Sequence, residues 1–199
     1  MSGEQKMDSG KLVLVLYADR AERSILDPVV NDLMSRDVSY MYINLSDKIK
    51  NIHEDKNLSK IYDYTFDLTK QFNFTCAVVI GDRREITFAC LALFVQGIPV
   101  HQMASGDLSS QMSLVDDYYR HLITIMSSKQ IAFSEKSLEK TNRLLAELNI
   151  KPSSVHFPNP TLSDLDLTND EDTNQDYDLV LMHPQSLSRE GTRQDITTV

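Results

Sequence analysis

Residues 76–103, CAVVIGDRREITFACLALFVQGIPVHQM, contain the stretch that decides the fold. An apolar run ends at Gly81, a charged segment follows, and apolar residues then continue up to Gly97. A glycine just past a helix, with a proline shortly after it, is typical of a helix terminus. Residues 99–103 then predict the next strand. The stretch therefore predicts a complete β–α–β unit, with the charged segment at the end of its first strand.

The alternation of strands and helices extends to both sides of this unit. Strands are predicted at residues 11–18, 38–45, 76–81, 99–103, 130–133 and 154–157, and helices at residues 21–35, 57–72, 84–96, 114–127 and 135–148. Pro28 predicts a kink in the first helix, or a later start of that helix. The pattern predicts an α/β domain with a doubly wound, mostly parallel sheet of Rossmann-like type and helices on both faces.

Composition divides the chain into four parts. We expect an N-terminal tail at residues 1–10, the α/β domain at 11–157, an acidic linker at 158–177, and a fragment of a second domain or a C-terminal tail at 178–199. The net charge is −9 and no basic stripe is present, so we expect no nucleic-acid partner. No long apolar run or signal peptide is visible, so we expect no membrane partner. The final DITTV (195–199) is similar to peptides that bind PDZ domains.

The cysteines and histidines carry little chemistry of their own. Cys76 and Cys90 lie in apolar runs and form no CxxC motif, so we expect buried, reduced thiols and a cytoplasmic protein. The five histidines lack the paired spacing of metal ligands. We therefore expect neither a metal site nor a cofactor.

Charged residues follow three of the predicted strands, at positions 19–22, 82–85 and 105–107. Ligands of open α/β sheets bind beyond the carboxyl ends of the strands, so these clusters predict a polar cleft at one edge. Acids at helix N-termini also have a purely structural explanation, because they complement the helix dipole. Arg20 and Arg83 do not, since a cation is disfavoured there, and an anionic ligand would explain them.

Four motifs, in the same order, resemble those of the UDP-N-acetylglucosamine 2-epimerase family, and especially its hydrolysing branch. GDRRE (81–85), with the helix and IPV that follow, is similar to the family's Gly-Asp-Arg-x-Glu segment. RHLITIM (120–126) is similar to its Arg-His-Ala-Ile-Thr-Lys-Leu helix. YADRAE (17–22) is similar to its opening Thr-Gly-Thr-Arg-Ala-Glu, and LMHPQS (181–186) to its Gln-His-Pro-Val-Thr-Thr segment.

The resemblance implies one half of a GT-B-type arrangement, in which a UDP-sugar binds between two Rossmann-like domains and the second domain is incomplete here. It also implies proton removal at C2, anti-elimination of UDP, and addition of water with inversion at C2. The residues expected to be catalytic are Asp82, Asp116, Asp117 and His183. Those expected to bind the substrate are Arg20, Glu22, Arg83, Asp107, Arg120 and His121.

The chain also departs from the family pattern. The family's His-Ile-Glu/His-Gly-Gly segment is QMASG (102–106) here, so Ala104 stands where many members carry a carboxylate. Asp107, three residues further on, would offset this loss if it reaches the same space. A loop glycine is replaced by Ala18, and the chain ends soon after His183. We therefore expect weak or no activity from the chain alone, and a homodimer or a partner chain that supplies the second domain. The alternative is a non-catalytic binding or scaffold subunit, or a truncated homologue.

Overall fold

The computed structural model describes residues 12–108 and 115–162, and within these ranges strands and helices alternate as the sequence predicts. The strands are β1 Leu12–Tyr17, β2 Tyr40–Asn44, β3 Phe74–Ile80, β4 Val100–Met103, β5 Lys129–Ala132 and β6 Ser154–His156. The helices are α1 Arg20–Ser35, α2 Leu45–Lys48, α3 Leu58–Gln71, α4 Arg84–Val95, α5 Val115–Met126 and α6 Glu135–Glu147.

All six strands form one parallel sheet in the order β2-β1-β3-β4-β5-β6. The chain moves from β1 to one side, returns to place β3 on the other side of β1, and then continues outward. The strand order therefore reverses between β1 and β3, which is where ligands of such sheets bind. The predicted α/β, doubly wound, Rossmann-like fold is confirmed.

The apolar core lies on both faces of the sheet, because alternate residues of a strand point to opposite sides. From β1, Leu14 and Leu16 join one buried cluster together with residues of α3, α4 and α5. Val13 and Val15 join the other cluster, which includes residues of α1. Helices therefore cover both faces, and β1 is buried on each side, as its unbroken apolar run predicts.

Single residues predicted where two of the helices begin or end, and the structure decides each case. Helix α1 begins at Arg20 and continues through Pro28, so the alternative of a later helix start is wrong. A capping box at Asp19 and Glu22 starts the helix, and Pro28 removes only one hydrogen bond from its interior. At the end of α4, Gly97 has a φ of +71°, so the predicted glycine terminus is confirmed.

The sequence pattern missed three short elements, because three or four residues are too few to show a helical period. These are α2 and two 3₁₀ turns, at Asp55–Asn57 and Pro160–Leu162. The second turn packs on α1, and Pro160 is buried. The described chain thus stays on the domain for a few residues beyond the predicted boundary at residue 157.

Candidate active site

A cleft with a volume of about 260 Å³ lies at the carboxyl ends of β1, β3 and β4. Five of the residues predicted for the site line it, namely Glu22, Asp82, Arg83, Asp107 and Arg120. The other lining residues are Asp19, Ala21, Ile25, Ile80, Gly81, Ala104, Phe133 and Asn159. The parallel sheet therefore brings together residues from six separate segments of the chain.

Arg120 joins the two turns that form the centre of the cleft. Its Nη2 donates to the carboxylate of Asp82, which follows β3, and its Nη1 donates to the Ala104 carbonyl at 2.7 Å, which follows β4. Arg120 is only 8% exposed, whereas the Asp82 side chain is 34% exposed. The guanidinium thus forms a buried support, and Asp82 presents its carboxylate to the open cleft.

Arg83 has an acidic partner within the chain. It is the N-cap residue of α4, where the dipole disfavours a cation, and its Nη2 contacts the carboxylate of Asp19, which follows β1. Its Nε lies 3.9 Å from Oε1 of Glu22. An external anion is therefore not needed to explain Arg83, which corrects the argument made from its position in the sequence.

Glu22 is a buried acid on the wall of the cleft. It is 6% exposed, and its Oε2 accepts hydrogen bonds from the backbone N–H groups of Ala18 at 2.6 Å and Asp19 at 3.3 Å. Its Oε1 has no hydrogen-bond partner among the described residues and lies beside Gly81. Burial, as the largest cause, raises the pKa of Glu22 from its ordinary 4.5 to about 7. Near neutral pH, this carboxyl group is therefore able to hold or release a proton.

The turn after β4 has a constrained backbone. Ala104 has a φ of +57° and Gly106 a φ of +69°, both in the left-handed region. Ser105 is fully buried, and a Cβ on Gly106 would overlap the carbonyl oxygen of Ser137 in α6. Asp107 is exposed at the rim of the same cleft as Ala104. The packing on α6 therefore constrains the turn, which places Ala104 and Asp107 at the cleft.

The two acids in the first turn of α5, Asp116 and Asp117, lie in different environments. Burial raises the pKa of Asp116, and the carboxylate of Asp82 raises it further, so the charges of these two residues interact. Asp117 is buried and lines a smaller pocket of about 70 Å³ together with Leu108, Tyr118 and His121. Burial lowers the pKa of His121, while the nearby Asp117 opposes this shift. Asp117 and His121 therefore lie beside the cleft and not in its lining.

A further predicted site residue does not line the cleft, and another is not described by the structure. Arg20 is the first residue of α1, is exposed, and is absent from the described residues that line the cleft. The expectation that it faces the same hollow as Asp82 and Asp107 is therefore not met. His183 lies outside the described residues, as do the linker prediction beyond residue 162 and the final DITTV.

Sequence reasoning missed some members of the cleft. Asp19 forms the D-x-x-E capping pattern with Glu22, which was a visible signal for its position but not for its ion pair with Arg83. Phe133 and Asn159 follow the distant strands β5 and β6, and no local pattern marks them. Within residues 12–108 and 115–162, no three potential ligands lie close enough together to hold a metal ion. No helix in these ranges meets the length and apolarity needed to span a bilayer.

Comparison with known proteins identifies the family. The family model described as UDP-N-acetylglucosamine 2-epimerase matches residues 5–198. Among curated proteins, no sequence shows a significant match. The described fold is similar to that of the UDP-GlcNAc 2-epimerase from Methanocaldococcus jannaschii, with a TM-score of 0.65 and 19% identity, covering 77% of this chain and 46% of that chain.

Two further solved structures have a fold similar to that of this chain. The Neisseria meningitidis UDP-GlcNAc 2-epimerase bound to UDP-GlcNAc has a TM-score of 0.64 and 22% identity, covering 76% of this chain and 48% of that chain. The S. aureus MnaA–UDP structure has a TM-score of 0.64 and 14% identity, covering 77% and 46%. This chain thus spans about half the length of these structures, and the likeness establishes the fold. Because the family model covers nearly all of its residues, the chain belongs to the UDP-N-acetylglucosamine 2-epimerase family.

Proposed function

We propose that the cleft is the sugar-facing half of a UDP-N-acetylglucosamine 2-epimerase site, and that the chain alone has weak or no turnover. One contrast carries the proposal. Asp82 is held by Arg120 and exposed to the cleft, whereas Ala104 occupies the position of the family's second carboxylate. The N. meningitidis structure holds UDP-GlcNAc, and a second structure of the M. jannaschii protein holds UDP-GlcNAc and UDP, which supports a UDP-sugar as the ligand class.

The charges of the cleft favour the sugar over the diphosphate. Two arginines, Arg83 and Arg120, line it, and each is already paired with an aspartate. The acids that line it are Asp19, Glu22, Asp82 and Asp107. A diphosphate would meet more negative than positive groups here, so we assign its binding to a second domain or to a partner chain. The volume also lies below the roughly 300–1,000 Å³ of complete ligand pockets, as expected for one half of a shared site.

The proposed chemistry begins with the transfer of a proton from C2 of the sugar to a base. The C2–H electron pair forms a C1=C2 double bond, and the C1–O bond breaks with its electrons leaving on UDP. Water then adds at C1, and a proton adds to C2 from the opposite face, which inverts that carbon. We assign proton transfer to Asp82, with Asp116 as the neighbouring acid, and keep Asp117 and His183 as proposed members of the complete site. We assign substrate contacts to Glu22, Arg83, Asp107 and Arg120, and keep Arg20 and His121 as proposed contacts at its margin.

Ligand binding is the first test. UDP-GlcNAc, UDP and N-acetylmannosamine are added separately at millimolar concentration, and the melting temperature is measured. At ten times Kd a ligand stabilises the folded chain by about 1.4 kcal/mol, or roughly 3–6 °C for a chain of this length. We expect such a shift with UDP-GlcNAc, its loss in Asp82→Asn, and its retention in the control Asp63→Asn, which is exposed on α3. No shift with any of the three ligands would favour the scaffold alternative.

Turnover is the second test, because Ala104 is unable to transfer a proton. We expect no measurable release of UDP from UDP-GlcNAc by the chain alone, and a gain of activity in Ala104→Glu once a second domain is supplied. Robust release by the unmodified chain, abolished in Asp82→Asn, would show that the loss at Ala104 is compensated and that the chain is an enzyme by itself.

A specific surface supports self-association. Helices α4 and α5 pack side by side and expose six large apolar side chains, which are Leu91, Phe94, Val95, Tyr118, Leu122 and Ile125. A stable interface buries about 800 Å² on each partner, and aromatic side chains bury about 150–250 Å² each. Two aromatic and four aliphatic residues thus supply much of what a dimer needs. We propose that a second copy of the chain covers this face in a symmetric homodimer.

The molar mass in solution tests the homodimer. We expect the chain to sediment as a dimer, and the double variant Phe94→Glu/Leu122→Glu to sediment as a monomer, because charged side chains would be buried without partners. Met34→Glu is the control, since Met34 is an equally exposed apolar residue on α1. A monomeric parent chain, or a dimer that survives the double variant, would contradict the proposal.

We also propose a cytoplasmic location, based on the thiols. Cys76 is half-buried and Cys90 is fully buried, and both are free. Burial raises the pKa of both thiols, which keeps them in the unreactive protonated form. Fractionation of cells that express the tagged protein tests this location, and recovery outside the cytoplasm would contradict it.

A further inference from the structure

We propose that Gln102 is a positioning residue for the site. Its buried amide holds α5 at the level where Arg120 reaches both Asp82 and the Ala104 carbonyl. Gln102 lies in β4, directly before the constrained turn, and is fully buried. Both ends of its amide are bonded to α5. Its Nε2 donates to the Arg120 carbonyl at 3.2 Å, and its Oε1 accepts from the Thr124 hydroxyl at 2.7 Å.

The backbone that Gln102 holds belongs to the arginine that connects the two turns. The Arg120 side chain donates one hydrogen bond to the Ala104 carbonyl, at 2.7 Å, and another to the Asp82 carboxylate. An α-helix advances about 1.5 Å per residue, and hydrogen bonds are lost beyond about 3.2–3.5 Å. A small slide or rotation of α5 over the sheet would therefore break one of these two contacts. The amide prevents such a slide, because its bonds form at only one level of the helix.

Packing alone does not explain a glutamine at this point. An apolar side chain of similar volume fills a core without needing any partner, and apolar contacts tolerate small shifts of a helix. A buried polar group must find its own partners, and it thereby selects one arrangement over similar ones. Both partners of the Gln102 amide lie on the turn of α5 that carries Arg120. The arrangement that Gln102 selects is therefore the one that positions the guanidinium.

The neighbouring strand provides a matched control. Gln130 in β5 lies in register with Gln102, is equally buried, and also donates its amide to α5. Its partners are the carbonyl of Thr124 at 3.2 Å and that of Ser127, just past the end of the helix, at 2.7 Å. Gln130 thus has the same chemistry and burial but makes no bond to Arg120. A purely structural role would be shared by both glutamines, whereas the positioning role is specific to Gln102.

The experiment compares Gln102→Met with Gln130→Met, since methionine keeps the length of glutamine and removes its hydrogen bonds. The guanidinium ¹H–¹⁵N signals of Arg120 are recorded by NMR and assigned with Arg120→Lys. We expect Gln102→Met to lose the slowly exchanging, hydrogen-bonded Nη signals, and Gln130→Met to keep them at a comparable fall in melting temperature. Retention of these signals in Gln102→Met, or equal loss in both variants, would overturn the proposal.

UDP-GlcNAc affinity is the second readout, and it rests on the proposed function. We expect Gln102→Met to weaken binding at least about tenfold and Gln130→Met to leave it within about twofold. Absence of binding in the unmodified chain would refute the proposed function, while the guanidinium signals would still decide the role of Gln102. If Gln102→Met does not fold, Thr124→Val replaces it, because valine has the shape of threonine and removes the hydroxyl that orients the amide. The same loss of Arg120 signals is expected there, and their retention would overturn the proposal.

Discussion

The turn after β3 and the turn after β4 reach the same cleft but contribute different things to it. The first, residues 81–83, presents charged side chains that pair with groups on other segments, Asp82 with Arg120 and Arg83 with Asp19. The second, residues 104–107, carries Ala104 where the family resemblance implies a carboxylate, and its backbone is tightly constrained. The first turn is therefore distinguished by the contacts of its side chains, and the second by the packing of its backbone.

The two turns differ in the atoms that lie against their glycines. At Gly81 a Cβ would meet Oε1 of Glu22 at 2.9 Å, an atom at the end of a side chain. At Gly106 a Cβ would meet the backbone oxygen of Ser137, which is fixed within α6. The second turn is thus part of the core packing, whether or not it takes part in catalysis.

The largest expected effect is at Gly106. Gly106→Ala should lower the free energy of unfolding by about 3–4 kcal/mol, because overlap with a fixed backbone adds to the cost of a left-handed residue. Gly97→Ala is the control, since Gly97 has nearly the same φ of +71° and no atom within 4 Å of its Cβ position. It should cost about 1 kcal/mol. Urea denaturation measures both values, and similar losses would mean that packing does not constrain the second turn.

The free energy of unfolding is expected to depend on pH through Glu22, which lies beside the first turn. The pKa of Glu22 is raised from 4.5 to about 7, so the folded chain binds its proton more tightly than the unfolded chain does. The stability that this proton contributes is fully present below about pH 4.5 and is lost as the pH rises through about 7, a change of about 3 kcal/mol. The charged and titratable groups that face Glu22 are Asp19, Arg83 and Cys90.

Glu22→Gln tests this dependence, because glutamine keeps an oxygen for the backbone N–H of Ala18 but does not titrate. We expect the fall in unfolding free energy between pH 5 and pH 8 to be about 2.5 kcal/mol smaller in Glu22→Gln than in the unmodified chain. Glu139→Gln, exposed on α6, should keep the original slope. An unchanged slope in Glu22→Gln would assign the pH dependence to another group.

The smallest expected effect is at Ala104. A left-handed alanine costs about 1–2 kcal/mol, and glycine removes this cost but adds freedom to the unfolded chain. Ala104→Gly should therefore stabilise the chain by about 0.5–1 kcal/mol in thermal denaturation. Asn149→Gly is the control, because asparagine tolerates its φ of 56° better and should gain less. A destabilised Ala104→Gly would show that its Cβ makes contacts in the cleft that outweigh the backbone strain.

Much of the fold was predictable because it is encoded in local patterns. The unbroken apolar run of β1 indicated a strand buried on both faces, and Gly97 indicated the end of α4. Asp82 and Asp107 were predicted to share one edge because both follow strands of a parallel sheet, and both line the cleft. Arg20 was expected there by the same rule, but a position at the start of a helix does not determine the direction of its side chain.

The sequence by itself determined the α/β class, the order of the elements and the charged ends of the strands, because hydrophobic period and turn residues act over a few neighbouring positions. Only the tertiary structure decided which charges meet. Asp19 pairs with Arg83, and Arg120 reaches Asp82 and Ala104 from a helix that the buried amide of Gln102 holds in place. These contacts join residues far apart in the chain, and their geometry depends on how α5 packs on the sheet, which no local pattern specifies.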